Sequence, residues 1–286
     1  MMNRLSIRPL FAALVATMFV ACADNVEQQA NPYLERAQQS FANGQYHLAK
    51  LQLDSLKELY PKAFDARAKA QTMLLQIDLT ESQRNLCYVD SLLTLSQEMA
   101  QKLIPQFYLD KDAKYQDIGN YYASRYRVEQ NTGRTYLRPQ TDEKGKFAIV
   151  IYYRGKSIQP HTLRFTAPDG TFTEVTAPTS HSWTDASGRT ERLDFLPAED
   201  SSIASFVAMH ADNNIKVELI GANSKSVINF AKADKQSLVE VASLATCLRN
   251  IATLEAQQQE ACRRIEFFRH RLQADSLKRA TANNPS

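Results

Sequence analysis

Apolar residues change their spacing twice along the chain, and the changes predict three structural regions. From residue 30 to residue 127 they recur every three or four positions, which predicts amphipathic helices. Over 128–232 they alternate with polar residues in short segments separated by turns, which predicts antiparallel strands. Over 233–280 the helical spacing returns. The pattern predicts an α+β protein in which an antiparallel β-sandwich-like domain is inserted between an N-terminal helical bundle and a long C-terminal helix.

Segment 30–61 is predicted to form two helices joined by a tight turn. Its aromatic, small and turn residues follow the spacing of a tetratricopeptide repeat, at Tyr33, Ala37, Gly44, Tyr46, Ala49 and Pro61. The segment therefore resembles a single, TPR-like helical hairpin. Because one hairpin cannot bury its own apolar face, we expect the helices that follow to cover it. These helices are predicted at 63–79, at 80–104 after a capping box that begins at Thr80, and at 110–124.

The central region contains eight predicted strands and one polar stretch with an unusual aromatic residue. The strands are predicted at 134–139, 146–153, 161–167, 171–176, 190–196, 203–210, 215–220 and 226–231. The polar stretch, 178–189, is predicted as a loop and holds the only tryptophan, Trp183, between His181 and Asp185. A tryptophan in a polar setting often contacts a sugar ring or a protein partner. Trp183, His181 and Asp185 are therefore the candidate contact residues, and the alternative is that Trp183 plugs one end of the sandwich.

The C-terminal helix carries an apolar seam at heptad spacing. The seam residues are Leu244, Cys247, Ile251, Leu254, Gln258, Ala261, Ile265, Phe268 and Leu272. A seam sustained over so many turns predicts coiled-coil-like packing, either back along the N-terminal helices or against a second copy of the chain. Residues 281–286 are predicted to be a polar tail.

Residues 1–21 have the organisation of a signal peptide. Their apolar run, 10–20, follows basic residues and is too short to span a hydrocarbon core of about 30 Å. The Phe-Val-Ala-Cys sequence that ends at Cys22 resembles the lipobox of bacterial lipoproteins. The resemblance implies that Cys22 is acylated and holds the chain to a membrane, with 22–29 as a short tether. The alternative is ordinary cleavage after Ala23, which would release a soluble protein.

Charge and motif content argue against several classes of function. The formal net charge of +3 falls to about +1 when segment 1–21 and its two arginines are removed, so no basic field favours nucleic acid. The chain has no phosphate-binding glycine loop, zinc-protease motif, Cys-x-x-Cys pair or nucleophile elbow. The sequence thus predicts no catalytic residue, no metal and no cofactor. Cys87, Cys247 and Cys262 are expected to be small buried groups, and a bond from Cys87 to one of the others is the alternative.

These features predict a lipid-anchored cell-envelope protein that acts without catalysis, as an interaction or scaffold module for an unknown envelope partner. The alternative is a lipoprotein whose β domain binds a glycan or a peptidoglycan fragment through Trp183. A hydrolase of envelope polymers is a third hypothesis, with no motif to support it.

Overall fold

A computed structural model describes residues 8–176, 180–185, 188–197, 203–222 and 224–282, with side chains from Asn25 on except those of Asp185 and Ala282. The chain mixes helices with antiparallel sheets and ends in a long helix, as predicted. The helices are α1 (Arg8–Ala42), α2 (Tyr46–Leu59), α3 (Phe64–Leu103), α4 (Ile203–Met209) and α5 (Lys232–Ala282). The strands are β1 (Tyr108–Asp110), β2 (Asn120–Tyr122), β3 (Tyr136–Asp142), β4 (Phe147–Arg154), β5 (Pro160–Thr166), β6 (Phe172–Thr176), β7 (Ser180–Asp185), β8 (Gly188–Phe195), β9 (Lys216–Gly221) and β10 (Lys225–Ile228).

The chain forms two compact units, and the boundary between them falls inside α3 and inside α5. The helical unit comprises Met1–Asp90 and Gln257–Ser286, and the sheet unit comprises Ser91–Ala256.

Small side chains build the core of the helical unit. The turn between α1 and α2 is closed by Gly44, whose φ of +72° lies in the region that favours glycine. Alanines at the contact surface let the helices approach closely, and leucines and one isoleucine fill the remaining space. The buried cluster consists of Ala30, Ala37, Ala49, Leu53, Leu56, Ala63, Ala66, Ala70 and Ile77.

The expected tether differs from the structure. Residues 25–29 are helical, because α1 continues through them. The Glu27 carboxylate accepts hydrogen bonds from the backbone N–H groups of Asp65 and Ala66, each at 3.0 Å. Glu27 thereby supplies an acceptor to the otherwise unpaired donors at the start of α3. The prediction of Cys22 as the lipidated residue concerns a side chain outside the described residues.

The expected break between two helices at residue 80 is wrong, because α3 runs through this position without interruption. The Thr80 hydroxyl donates to the carbonyl of Gln76 at 2.9 Å, within the helix. It is therefore not available as a cap, and the capping-box pattern arose by coincidence of residue types.

The predicted seam is confirmed as the buried side of α5, since all nine of its residues are buried or half-buried. Within each unit α5 lies beside α3. In the sheet unit the Cys247 thiol donates to the carbonyl of Ser96 at 3.3 Å. In the helical unit the Gln258 amide donates to the carboxylate of Asp90 at 2.8 Å. The single polar residue of the seam is thus matched by a polar residue of the helix beside it.

All strand pairs of the sheet unit are antiparallel, and they form two sheets. The larger sheet has the order β1-β2-β3-β4-β8-β7, and the smaller sheet has the order β10-β9-β5-β6. One apolar cluster takes side chains from both sheets and from α4 and α5. Its fully buried members include Ile149, Ile151, Leu163, Phe165, Leu193, Phe195, Val207, Val217, Leu219 and Leu238.

Besides 178–189, where the structure has β7 in place of the predicted loop, two segments of the sheet unit differ from the sequence prediction. The segment 110–124, expected as a helix, contains the end of β1 and all of β2. Its neighbouring tyrosines point to opposite sides, since Tyr121 packs with Leu244 of α5 and Tyr122 packs with other tyrosines. The segment 203–210, expected as a strand, forms α4. Ile203 and Val207 are both buried while Ser205 between them is exposed, which fits a helical turn and not a strand with one buried face.

Candidate functional site

Trp183 lies on a strand and not on the loop predicted for 178–189. It belongs to β7, the last strand in the six-stranded sheet, and β8 is the one described strand with which β7 pairs. Trp183 is opposite Thr190 of β8, and Thr190 is opposite Arg154 of β4. Residues that face each other across antiparallel strands share one side of a sheet, so these three side chains lie on the same side. His181 lies on this side too, opposite Arg192.

This side of the sheet carries a cluster of tyrosine and arginine residues. Tyr136 and Tyr152 stack with their ring centroids 4.7 Å apart and their planes 9° apart. The guanidinium of Arg138 lies 4.3 Å from the ring centroid of Tyr122 and 5.2 Å from that of Tyr152. The stacked rings and cation–π contacts fix the rotamers of these side chains, which gives the sheet a rigid aromatic and cationic surface.

Arg138 is buried between these rings with only 4% of its surface exposed. It forms no ion pair with any residue that the structure describes, and its Nε has no hydrogen-bond partner there. Burial raises the pKa of Tyr122, as does the hydrogen bond that its hydroxyl donates to Asp110. Burial also raises the pKa of Tyr136, so both phenols stay protonated over the physiological range. The positive charge of Arg138 is therefore balanced by aromatic rings rather than by a phenolate.

A cleft of about 120 Å³ opens beside Trp183 on this side of the sheet. Two arginines, three aromatic rings and the turn around Gly133 surround it. Its lining residues are Val128, Asn131, Thr132, Gly133, Arg134, Tyr136, Tyr152, Arg154, Trp183 and Thr190. The exposed fraction of Trp183 is 43%, so a large part of the indole is open to a ligand or a partner.

Hydrogen bonds hold the cationic side chains of this cleft in place. The buried Asn131 donates its side-chain amide to the carbonyls of Arg125 and Arg127, at 2.8 and 2.7 Å. Its carbonyl oxygen accepts a hydrogen bond from Nε of Arg134 at 2.9 Å. The Arg154 guanidinium donates to the hydroxyl of Thr190, also at 2.9 Å. The oriented Arg134 guanidinium beside an exposed indole can bind a planar anion, or a sugar that carries a carboxylate.

The three predicted contact residues have different outcomes. Trp183 lines the cleft, whereas His181 is exposed on the same strand without being part of the lining. The side chain of Asp185 lies outside the described residues. The sequence analysis missed Tyr152 and Arg154. Their signal was their position in β4. Ile149, Ile151 and Tyr153 face the core, so Tyr152 and Arg154, at the alternate positions, lie on the opposite side of the sheet.

The described side chains give little support for a metal site or for a reactive cysteine. They contain no group of three histidine, cysteine, aspartate or glutamate residues that could hold a metal ion. Cys247 is buried, and burial raises the pKa of its thiol. The expectation that all three cysteines are buried is wrong for Cys87 and Cys262, which are exposed on α3 and α5. Glu191 is buried and forms an ion pair with Arg189 at 2.9 Å.

Among the helices whose residues are described, none has an apolar stretch of sufficient length to cross a membrane. Comparison of the chain with protein-family models, with curated proteins and with solved structures finds no match.

Proposed function

We propose that this chain is a lipid-anchored, non-catalytic protein of the cell envelope, which acts by binding a partner through the cleft side of its sheet unit. The observation that carries the proposal is the exposed Trp183 beside a rigid surface of tyrosines and arginines. Tryptophan, tyrosine and arginine are the residues most enriched at the energetic centres of protein interfaces. Among the strands that the structure describes, β7 pairs with β8 alone, and an edge strand can offer backbone donors and acceptors to a partner.

The scaffold part of the proposal concerns the helical unit. We propose that the hairpin over 30–61 is TPR-like and that α3 and the end of α5 take the place of neighbouring repeats. The ion pairs from Lys50 of α2 to Asp78 and Glu81 of α3, each at 2.6 Å, support this arrangement. The sheet unit is proposed to be sandwich-like, because one apolar cluster joins side chains of both sheets. A homodimer through α5 is less favoured, since the seam already has partners within the chain.

The binding part is tested by crosslinking and capture from intact membranes. We expect Trp183→Ala to lose the captured partner and Tyr115→Ala to retain it, because Tyr115 is an exposed aromatic residue of the same unit outside the cleft. Equal capture by both variants would show that the cleft side is not the contact surface. A Trp183→Ala variant that loses stability but no partner supports the plug hypothesis instead.

The anchor is tested separately, by mass spectrometry of the mature N-terminus. A fatty-acylated Cys22 is the expected result, and Cys22→Ser should release the chain from the membrane fraction. A mature chain that starts at Asp24 without acyl groups would contradict the anchor while leaving the binding surface untouched.

A second candidate function is the binding of an envelope glycan in the same cleft. It is favoured by the combination of the Trp183 indole, which can stack on a sugar ring, with Arg134, which can bind a carboxylate. A pull-down with purified peptidoglycan distinguishes the two. Saturable binding that Trp183→Ala abolishes supports a glycan ligand. Absence of binding to peptidoglycan supports a protein as the partner instead.

A further inference from the structure

A second and larger cavity lies elsewhere in the sheet unit and shares no lining residue with the cleft of Trp183. It has a volume of about 510 Å³, within the range of small-molecule sites. It is bounded by the turn between β3 and β4, the end of β8, α4 and α5. Its apolar lining includes Phe147, Leu196 and Ala242.

Three cations line this cavity, and none of the lining residues that the structure describes, which exclude 198–202, is acidic. They are Lys144 and Lys146 of the turn and Arg249 of α5. None of the three forms an ion pair with a carboxylate that the structure describes. Lys144 and Lys146 are exposed and Arg249 is half-buried, so water and salt screen their mutual repulsion, and an anion bound between them would be attracted by all three charges.

The acidic residues of the same turn are engaged elsewhere. The Asp142 carboxylate accepts hydrogen bonds from the backbone N–H groups of Lys144 and Lys146, at 2.9 and 2.8 Å. The Glu143 carboxylate pairs with Lys111 and accepts from the backbone of Gly119, both at 2.7 Å. These bonds, the one to Lys111 above all, lower the pKa of Glu143, which therefore stays charged and bound at neutral pH. Neither carboxylate is left to neutralise the lysines.

The turn that carries the lysines is held rigidly against α5. Gly145 has a φ of +83°, and a Cβ at this position would lie 2.4 Å from the carbonyl oxygen of Ala245 and 2.5 Å from the backbone nitrogen of Arg249. Only glycine allows the turn to approach the helix this closely. The position of the two lysine backbones relative to Arg249 is therefore fixed before any ligand binds, which reduces the entropic cost of binding.

We propose that this cavity binds an anionic amphiphile, with a phosphate or carboxylate head between Lys144, Lys146 and Arg249 and an apolar body against Phe147, Leu196 and Ala242. The cations supply the affinity for the head, and the apolar side chains supply the affinity for the body. The volume of the cavity is far larger than an isolated anion requires, which favours a ligand with both parts.

The test is isothermal titration of the full chain carrying Cys22→Ser, with octyl phosphate and octanoate as probes. Inorganic phosphate and acetate supply the head alone, and octyltrimethylammonium supplies the body with the opposite charge. We expect saturable binding of at least one octyl anion, at least tenfold tighter than its head alone. Each methylene removed from the chain should weaken binding about fourfold, the equivalent of ~0.8 kcal/mol per buried CH₂. Octyl phosphate and octanoate together identify which head the site prefers.

Two variants test separately how the anionic head and the apolar body of the ligand contribute to binding. Lys144→Glu with Lys146→Glu should weaken octyl anion binding at least tenfold, while the control Lys114→Glu with Lys156→Glu, which changes two exposed lysines of the same unit, should leave it unchanged. Ala242→Trp fills the cavity without changing its charge, and should abolish binding of the octyl probes while inorganic phosphate is unaffected.

Four results would overturn the proposal: no saturable binding, equal affinity for inorganic phosphate and octyl phosphate, equal affinity for the octyl cation, or full binding by the double glutamate variant. Should the double glutamate variant not fold, Ala242→Trp and the octyl cation still decide between specific binding and its absence.

Discussion

Glu27→Ala is expected to destabilise the helical unit, although Glu27 lies in a stretch that the sequence presents as a tether. Its carboxylate accepts two backbone hydrogen bonds, from Asp65 and Ala66, at the N-terminus of α3. Replacing an N-capping acceptor by alanine costs about 0.5–2 kcal/mol. Loss of a negative charge beside a helix N-terminus costs about 0.3–1 kcal/mol more. Because the Asp65 N–H is exposed, water replaces part of what is lost.

We therefore expect the free energy of unfolding to fall by about 1–2 kcal/mol, and the melting temperature to fall by about 2–6 °C. Circular dichroism at 222 nm during heating measures the shift, and hydrogen exchange locates it, since the amides of Asp65 and Ala66 should lose protection first. Glu27→Gln keeps one acceptor oxygen, so its melting temperature should lie between those of the wild type and of Glu27→Ala. The control is Glu35→Ala, an exposed glutamate of the same helix. If Glu27→Ala melts together with this control and keeps both amides protected, residues 25–29 are a free tether after all.

Three further predictions concern the sheet unit. Gly145→Ala should destabilise it by several kcal/mol, on the order of 3 or more, because the new methyl group meets the backbone of α5 at a positive φ; chemical denaturation measures the loss, and a wild-type midpoint would contradict the close approach. Lys111 lowers the pKa of Glu143, so this pair stabilises the fold above the ordinary glutamate pKa and ceases to do so as the pH falls through the lowered value; the melting temperature of Glu143→Gln should accordingly depend less on pH between about 5 and 3. A maleimide should label the exposed Cys262 rapidly and Cys247 slowly, since burial raises the pKa of the Cys247 thiol; equal rates by mass spectrometry would show that α5 opens at this position.

The strands that form the shared core were predictable because each carries its own apolar alternation. Segments such as 146–153 and 161–167 have apolar residues at every second position or in a continuous run, and the structure places β4 and β5 there. The seam of α5 was equally plain, because its spacing is sustained over nine positions. Each of these local patterns is long enough to distinguish the strand period of two residues from the helical period of 3.6 residues.

Short segments were predicted wrongly for the converse reason. Segment 120–122 is too short, and segment 203–209 is apolar at nearly every position, so neither separates a period of two from one of 3.6. The first became a strand because it pairs with β3, and the second became a helix in which Ile203 and Val207 reach the core while Ser205 is exposed. Thr80 shows the same limit for capping, because a hydroxyl that suits a helix start also bonds within a continuous helix.

The sequence by itself determined the class of the fold and the apolar side of the long elements. It also singled out Trp183, as the only tryptophan and one that lies in a polar stretch. Only the tertiary structure decided what lies beside that tryptophan. Tyr152 and Arg154 are about thirty residues away in the chain and reach the cleft through the register of β4, β8 and β7. In the same way, the cations of the second cavity come together only because the turn at Gly145 packs on α5. Periodicity is a property of neighbours along the chain, whereas a site depends on pairing between distant segments, which the sequence of any one segment does not specify.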